Sequence, residues 1–166
     1  MPLKTKYTHL SQRNQILKRP GQHIGSTKNA SSTIWLIDED KIKQSEINYN
    51  PGLIHIFYEV LGNAQDNYFR SKSSNTPLKK IEVNVNKEIG EISILNDGLW
   101  IPTKIHEWDD DEEVVDNKDH YEGEIIFGHL NSSSNYNDTD VERIGGGLHG
   151  VGVKLTNIFS KKFKFF

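Results

Sequence analysis

The segment "PGLIHIFYEVLGNAQDNYFRSK" constrains this chain more than any other. Leu53, Ile54, Phe57, Val60, Leu61, Ala64 and Tyr68 recur at helical spacing and make one apolar face. Pro51 suits a first helical turn. A helix with one apolar face must bury it against a second layer. The next stretch, "KKIEVNVNKEIGEISILNDG", offers that layer. Ile81, Val83 and Val85 alternate in one run and Ile92 and Ile94 in the next, with "NKEIG" as a hairpin turn. The element order is helix, hairpin, loop, helix, strand onset. It predicts an α+β fold, a two-layer sandwich of helices on one face of a mixed β-sheet, short of its closing strands toward the C-terminus.

The rest of the chain fits around that pair. Residues 1–20 form a polar arm with a short helix that ends at "RPGQ", and residues 21–166 form one domain. "SSTIWLID" has the pattern of a strand, and "EDKIKQSEINYNPG" that of a turn and connector. "GEIIFGHL" is expected to be a short helix. "LHGVGVKLTNIFSKKF" resumes helical spacing, and "KFKFF" begins to alternate as a strand does. A chain of 166 residues is long enough for one domain with a core. It has no cysteine, which excludes disulfides, thiolate zinc sites and a cysteine nucleophile. No apolar run approaches the ~20 residues that span a membrane, and the first residues lack the apolar core of a signal peptide. The expectation is an intracellular protein that makes no membrane contact. Residues 107–124 hold ten acids and one lysine and are expected to be a solvated loop. The lysines elsewhere are scattered and form no nucleic-acid patch.

Three short pieces carry possible chemistry. On the long helix, Glu59, Asn63 and Asp66 stand at i, i+4 and i+7 on one polar stripe. A carboxylate there can take a proton from water, and an amide oxygen is a hard ligand suited to Mg²⁺. By itself the stripe is better explained by a solvated face. In "ILNDGLWIP", Asn96 and Asp97 stand where a strand becomes a turn. They can bond a purine amino group or form a plain turn. In "DVERIGGGLHGVGVKL", glycines 145, 146, 147, 150 and 152 lead into a helix. Backbone N–H groups at such a turn can cradle phosphate. The pattern is neither a P-loop nor a dinucleotide fingerprint, and its glycines are too many for a hinge alone.

In this order the pieces resemble the GHKL ATPases, and within them the type IIA DNA topoisomerases. "EVLGNAQDN" is similar to the family's N-box, and "NDGLWIP" to its adenine-site motif. "IFGHLNSSSNYNDTDVERIGGGLHGVGVKLTNIFS" resembles eukaryotic-type topoisomerase II, with a glycine core closer to bacterial gyrase. "ILKRPGQHIGS" resembles the opening of these domains. The resemblance covers about residues 7–163.

The resemblance implies the GHKL (Bergerat) ATP-binding fold, with ATP and Mg²⁺ as cofactors. Glu59 would be the general base and Asn63 the Mg²⁺ ligand. Asp66 would support the nucleotide pocket, and Asn96 would contact adenine. Ser133, Ser134 and Asn135 match the "SSN" that touches ribose and phosphate. Gly147, Leu148, His149, Gly150, Val151, Gly152, Val153 and Lys154 would form the glycine lid and phosphate cradle. Tyr7 matches an arm tyrosine that reaches the partner subunit's nucleotide when a homodimer forms on ATP binding. The implied role is the ATP-hydrolysing segment of a type II DNA topoisomerase. Double-stranded DNA would be handled by later domains, in a nucleus or at a viral replication site.

The sequence also departs from the family. Trp100 replaces a glycine of the adenine-site motif, and its ring would either crowd the pocket or point outward. His149 has no catalytic role, and the other six histidines show no metal-ligand spacing. The lysine that a following transducer domain gives to the γ-phosphate is not among these residues, nor is a DNA-cleaving tyrosine. A fragment, a split gene and a decayed copy are all consistent with that. The alternative is a non-catalytic relative that binds nucleotide or a protein partner only. The chaperone and mismatch-repair branches of the family fit less well.

Overall fold

The structure is a computed structural model that describes residues 7–109, 112, 114, 116, 118–133 and 150–166. Ser134, Asn135, Gly147, Leu148 and His149, all assigned to the nucleotide site above, lie outside the described residues. The chain divides into two compact units, residues 1–55 and 56–166.

In the first unit, helix α1 (Gln12–Lys18) starts at Ser11, whose side chain accepts from Asn14 N, and a 3₁₀ turn follows over Pro20–Gln22. Ile16 is fully buried and Ile24 nearly so. Strands β1 (Ala30–Asp38) and β2 (Lys41–Tyr49) pair antiparallel from Ala30↔Tyr49 to Asp38↔Lys41. The expected connector over 39–52 is therefore mostly a strand. Apart from Ile42, Ile47 and Tyr49 its residues are polar, so it lacked the apolar alternation that marks a half-buried strand. Its pairing comes from backbone bonds across a two-residue turn in which Glu39 takes a φ of 53°.

Helix α2 (Pro51–Ser71) begins in the first unit and continues through the second. Asn50 caps it, its Oδ1 accepting from Leu53 N at 3.0 Å, and Pro51 occupies the first turn as expected. The buried stripe differs from the apolar face read from sequence. Leu53, Ile54 and Tyr68 are exposed. The covered positions run Phe57, Val60, Ala64, Asn67 and Ser71, still at helical spacing but ending in two polar residues.

Strands β3 (Ile81–Asn86) and β4 (Glu91–Asn96) form the expected hairpin, in register from Ile81↔Asn96 to Asn86↔Glu91. Gly90 turns it with a φ of 64°. The two hairpins are the sheets of the described residues. Helices α3 (Glu122–Gly128) and α4 (Gly152–Phe159) lie where short helices were expected. The core of this unit holds Ala64, Leu78, Ile125, Val153 and Leu155. The terminal "KFKFF" forms no strand. Its alternation instead seats Phe163 and Phe165 on Phe127, with ring centroids 5.7 and 4.7 Å apart, while Phe166 is left in solvent. No described helix is long and apolar enough to cross a membrane.

Asp97 locks the β3–β4 hairpin to the chain entering it. Its Oδ1 accepts from Lys79 N and Lys80 N, both at 2.8 Å. Those bonds hold its carboxyl below the ordinary carboxylate range. A depressed carboxyl stabilises the fold above its unfolded pKa and loses that effect as pH falls through the folded value. Asp97→Asn should therefore unfold at lower denaturant than the parent at neutral pH, with the gap closing across the acid range as pH falls through the folded pKa. A gap that stays constant in denaturant titrations across that range would remove Asp97 as the lock.

Candidate functional site

In the second unit α4 ties α2 and α3 together. Thr156 Oγ1 donates to Ile56 O on α2 at 2.7 Å, and Asn157 Nδ2 donates to Phe127 O on α3 at 2.9 Å. These bonds bring the start of α4 to the polar stripe of α2. Glu59 is half-buried there. Its carboxylate occupies the space a Cβ on Gly152 would need, with Cδ 2.7 Å from that position. Only a residue without a side chain fits. The helix start is also electrostatically suited to an anion: α4 has no side-chain cap at Val151, and its first N–H groups carry the positive end of the dipole. Gly150, just before it, adopts a φ of 60° that favours glycine.

Lys154 follows one half-turn on. It is 4% exposed, and its Nζ donates to Ser132 O at 2.6 Å. Burial pushes its pKa down to about 8, because a desolvated ammonium is disfavoured. Ser132 is itself anchored, its Oγ donating to Ile125 O and His129 O at 2.8 and 2.9 Å. Lys154 thus stands beside the half-buried Ser133 expected to touch the nucleotide. An enclosed cation next to a helix start and a loop serine can take a phosphate oxygen.

The turn expected to contact adenine is held by a residue that sequence reasoning missed. Asn67 is 7% exposed. Its Nδ2 donates to Asn96 Oδ1 at 2.6 Å and to Leu99 O at 2.8 Å. Asn96 Oδ1 also accepts from Gly98 N at 3.3 Å, so both bonds to this side chain use its oxygen. A Cβ on Gly98 would stand 3.0 Å from Asn67 Nδ2 and from Leu78 Cβ, so the turn needs glycine here for packing. The available signal was the helical spacing of Val60, Ala64, Asn67 and Ser71, which places a polar amide on the buried stripe. Trp100 is 89% exposed, so its ring points outward rather than into the turn.

The remaining expected residues are placed as follows. Asn63 is exposed on the same face as Glu59, and its side chain makes no hydrogen bond among the described residues. One neutral oxygen donor beside a carboxylate fits Mg²⁺, which takes few protein ligands and keeps its waters. Asp66 is half-buried one turn further along. Tyr7 is 91% exposed in the first unit.

No family model matches the chain. DNA topoisomerase 2 of Invertebrate iridescent virus 6 is 44% identical over 165 residues, covering 97% of this chain and 14% of that protein. DNA topoisomerase 2 of Saccharomyces cerevisiae is 42% identical over 161 residues, covering 95% of this chain and 10% of that protein. The crystallised ATPase region of Saccharomyces cerevisiae topoisomerase II superposes with a TM-score of 0.79 at 40% identity, covering 93% of this chain and 38% of that one. The chain is similar to the ATPase region of topoisomerase II over nearly all of its own length. Its α+β architecture is that of this region. The chain spans between a tenth and a seventh of the length of these two relatives.

Two glycines of this topoisomerase-like segment offer opposite tests. Gly152→Ala must displace Glu59 or the start of α4, and should cost about 1–3 kcal/mol in denaturant unfolding. Gly62 lies inside α2 with open space where a Cβ would go. Gly62→Ala should stabilise by roughly 0.5–1 kcal/mol. An unchanged midpoint for Gly152→Ala would mean that the Glu59 approach is not tight in solution.

Proposed function

We propose that this chain binds ATP with Mg²⁺ and forms the hydrolytic segment of a type IIA topoisomerase that changes DNA topology. The observation that carries this reading is the Glu59 carboxylate set against Gly152 at the start of α4, with the buried Lys154 half a turn away. Phosphoryl transfer to water needs positioning, a cation and a group to orient the nucleophile. Asn63 would hold Mg²⁺, which would neutralise charge on the β- and γ-phosphates. Glu59 accepts a proton from the attacking water. The N–H groups from Gly147 to Lys154 cradle the phosphates, and closing that glycine segment excludes water. Lys154 gives its charge to a phosphate oxygen. Asn96 bonds the adenine edge, kept in place by Asn67, and Asp66 supports the pocket. Ser133, Ser134 and Asn135 contact ribose and phosphate. Residues 1–20 act as an arm that carries Tyr7 to the partner subunit's nucleotide in an ATP-dependent homodimer. Later domains of the protein that carries this segment engage double-stranded DNA, in a nucleus or at a viral replication site.

The full-length protein carrying Glu59→Ala should bind a non-hydrolysable ATP analogue with near-parental affinity and lose ATP turnover by at least about 100-fold. Retained turnover would remove Glu59 as the base. Lys154 adds a pH signature. A bound phosphate raises its pKa from about 8, so binding takes up a proton once the free lysine is neutral. Affinity for the analogue should be flat below pH 8 and fall above it, and Lys154→Met should bind weakly without that fall. A parental affinity with no break near pH 8 would place Lys154 away from phosphate.

A further inference from the structure

The acidic stretch that sequence alone made a solvated loop is partly folded. An isolated antiparallel bridge joins Ile105 to Tyr121, and His106 N donates to His120 O at 2.7 Å. Within this neck the rings of His106, Trp108, His120 and His129 follow one another edge to face. Their successive centroids are 4.7, 6.5 and 4.8 Å apart. Linear spacing gave these histidines no metal-ligand pattern, yet the fold brings His120, Glu124 and His129 together. His120 and Glu124 are one turn apart, and α3 then carries the chain round so that His129 returns to them.

We propose that His120, Glu124 and His129 bind one Zn²⁺ ion, which pins the acidic segment to the C-terminal end of α3. One donor atom from each of the three lies within 4.8 Å of the others. His120 is 6% exposed, and its Nε2 stands 2.9 Å from Asp116 Oδ1. A carboxylate on one ring nitrogen is how metal-binding histidines are oriented, because it leaves the other nitrogen's lone pair free. That other nitrogen, Nδ1, is buried and makes no well-aligned hydrogen bond, while the Asp116 and Glu124 carboxylates together hold the ring's pKa up. Glu124 Oε1 lies 3.1 Å from it but off the line that a ring N–H would follow. A positive centre, either a proton on Nδ1 or a bound metal ion, must sit between these two atoms. At the usual zinc bond lengths, tetrahedral donors stand roughly 3.3–3.5 Å apart. The first pair is already near that spacing. The longer distances close by rotation of Glu124, whose side chain is 51% exposed, and of His129. A water completes four-coordination. Two imidazoles and one carboxylate select zinc over Mg²⁺, so this site is chemically distinct from the one at Asn63.

The test is titration of the metal-stripped full chain with Co²⁺, followed by Zn²⁺. One equivalent of Co²⁺ should give the intense visible absorption of four-coordinate cobalt and quench Trp108 fluorescence, and Zn²⁺ should displace it. His120→Gln should abolish the signal. Glu124→Gln and Asp116→Asn should each weaken binding by about 10–100-fold, and His9→Gln, on an exposed residue outside the cluster, should leave it unchanged. Glu124 is at the surface, so its variant reports on the site even where His120→Gln fails to fold. Absence of the four-coordinate spectrum, or equal affinity in the parent and Glu124→Gln, would overturn the proposal. Either result would make His120 a protonated imidazole paired with Asp116 and Glu124.

Discussion

The close approach of the Glu59 carboxylate to Gly152 is the contact on which the rest of the site depends. It is possible because residue 152 has no side chain, and because a helix start favours negative charge. It places a proton acceptor at the end of α4 where N–H groups converge. The polar bonds from Thr156 and Asn157 hold that end in register with α2 and α3. Without them the acid of α2 and the glycine segment would be two unrelated features of the chain.

Two buried polar groups shape what the site can take. Asn67 gives its N–H groups to Asn96 and Leu99, while its Oδ1 has no hydrogen-bond partner among the described residues. A buried amide left partly unpaired is costly. Here it joins α2 to the turn after β4. Lys154 is the second case. A 4% exposed ammonium donating to Ser132 is poorly solvated, and an incoming phosphate would improve its surroundings. Both groups favour binding an anionic, hydrogen-bonding ligand over a tightly closed apolar core.

Much of this was legible in the sequence because it is local. The proline at the start of α2, the β3–β4 turn, and the helices at 122–128 and 152–159 follow from spacing and turn residues. What sequence missed depends on distant partners. β2 was hidden because its mostly polar side chains carry no strand pattern, and its pairing is backbone to backbone. The apolar face of α2 was extended to Leu53, Ile54 and Tyr68, which no described residue buries, while Asn67 and Ser71 were passed over as polar. The histidine cluster escaped because His129 is separated from His120 by a helix, and linear spacing does not record a chain that returns.

The sequence by itself determined the order of the elements and the chemical types offered: an acid and an amide one turn apart, an Asn-Asp-Gly turn, a glycine run before a lysine. Those follow from backbone preference and side-chain periodicity, which act over a few residues. Only the tertiary structure decided that Glu59 meets Gly152, that Asn67 rather than Asp97 holds Asn96, and that Lys154 is buried. Each depends on excluded volume and desolvation among residues far apart in the chain, and no local pattern encodes how those surfaces pack.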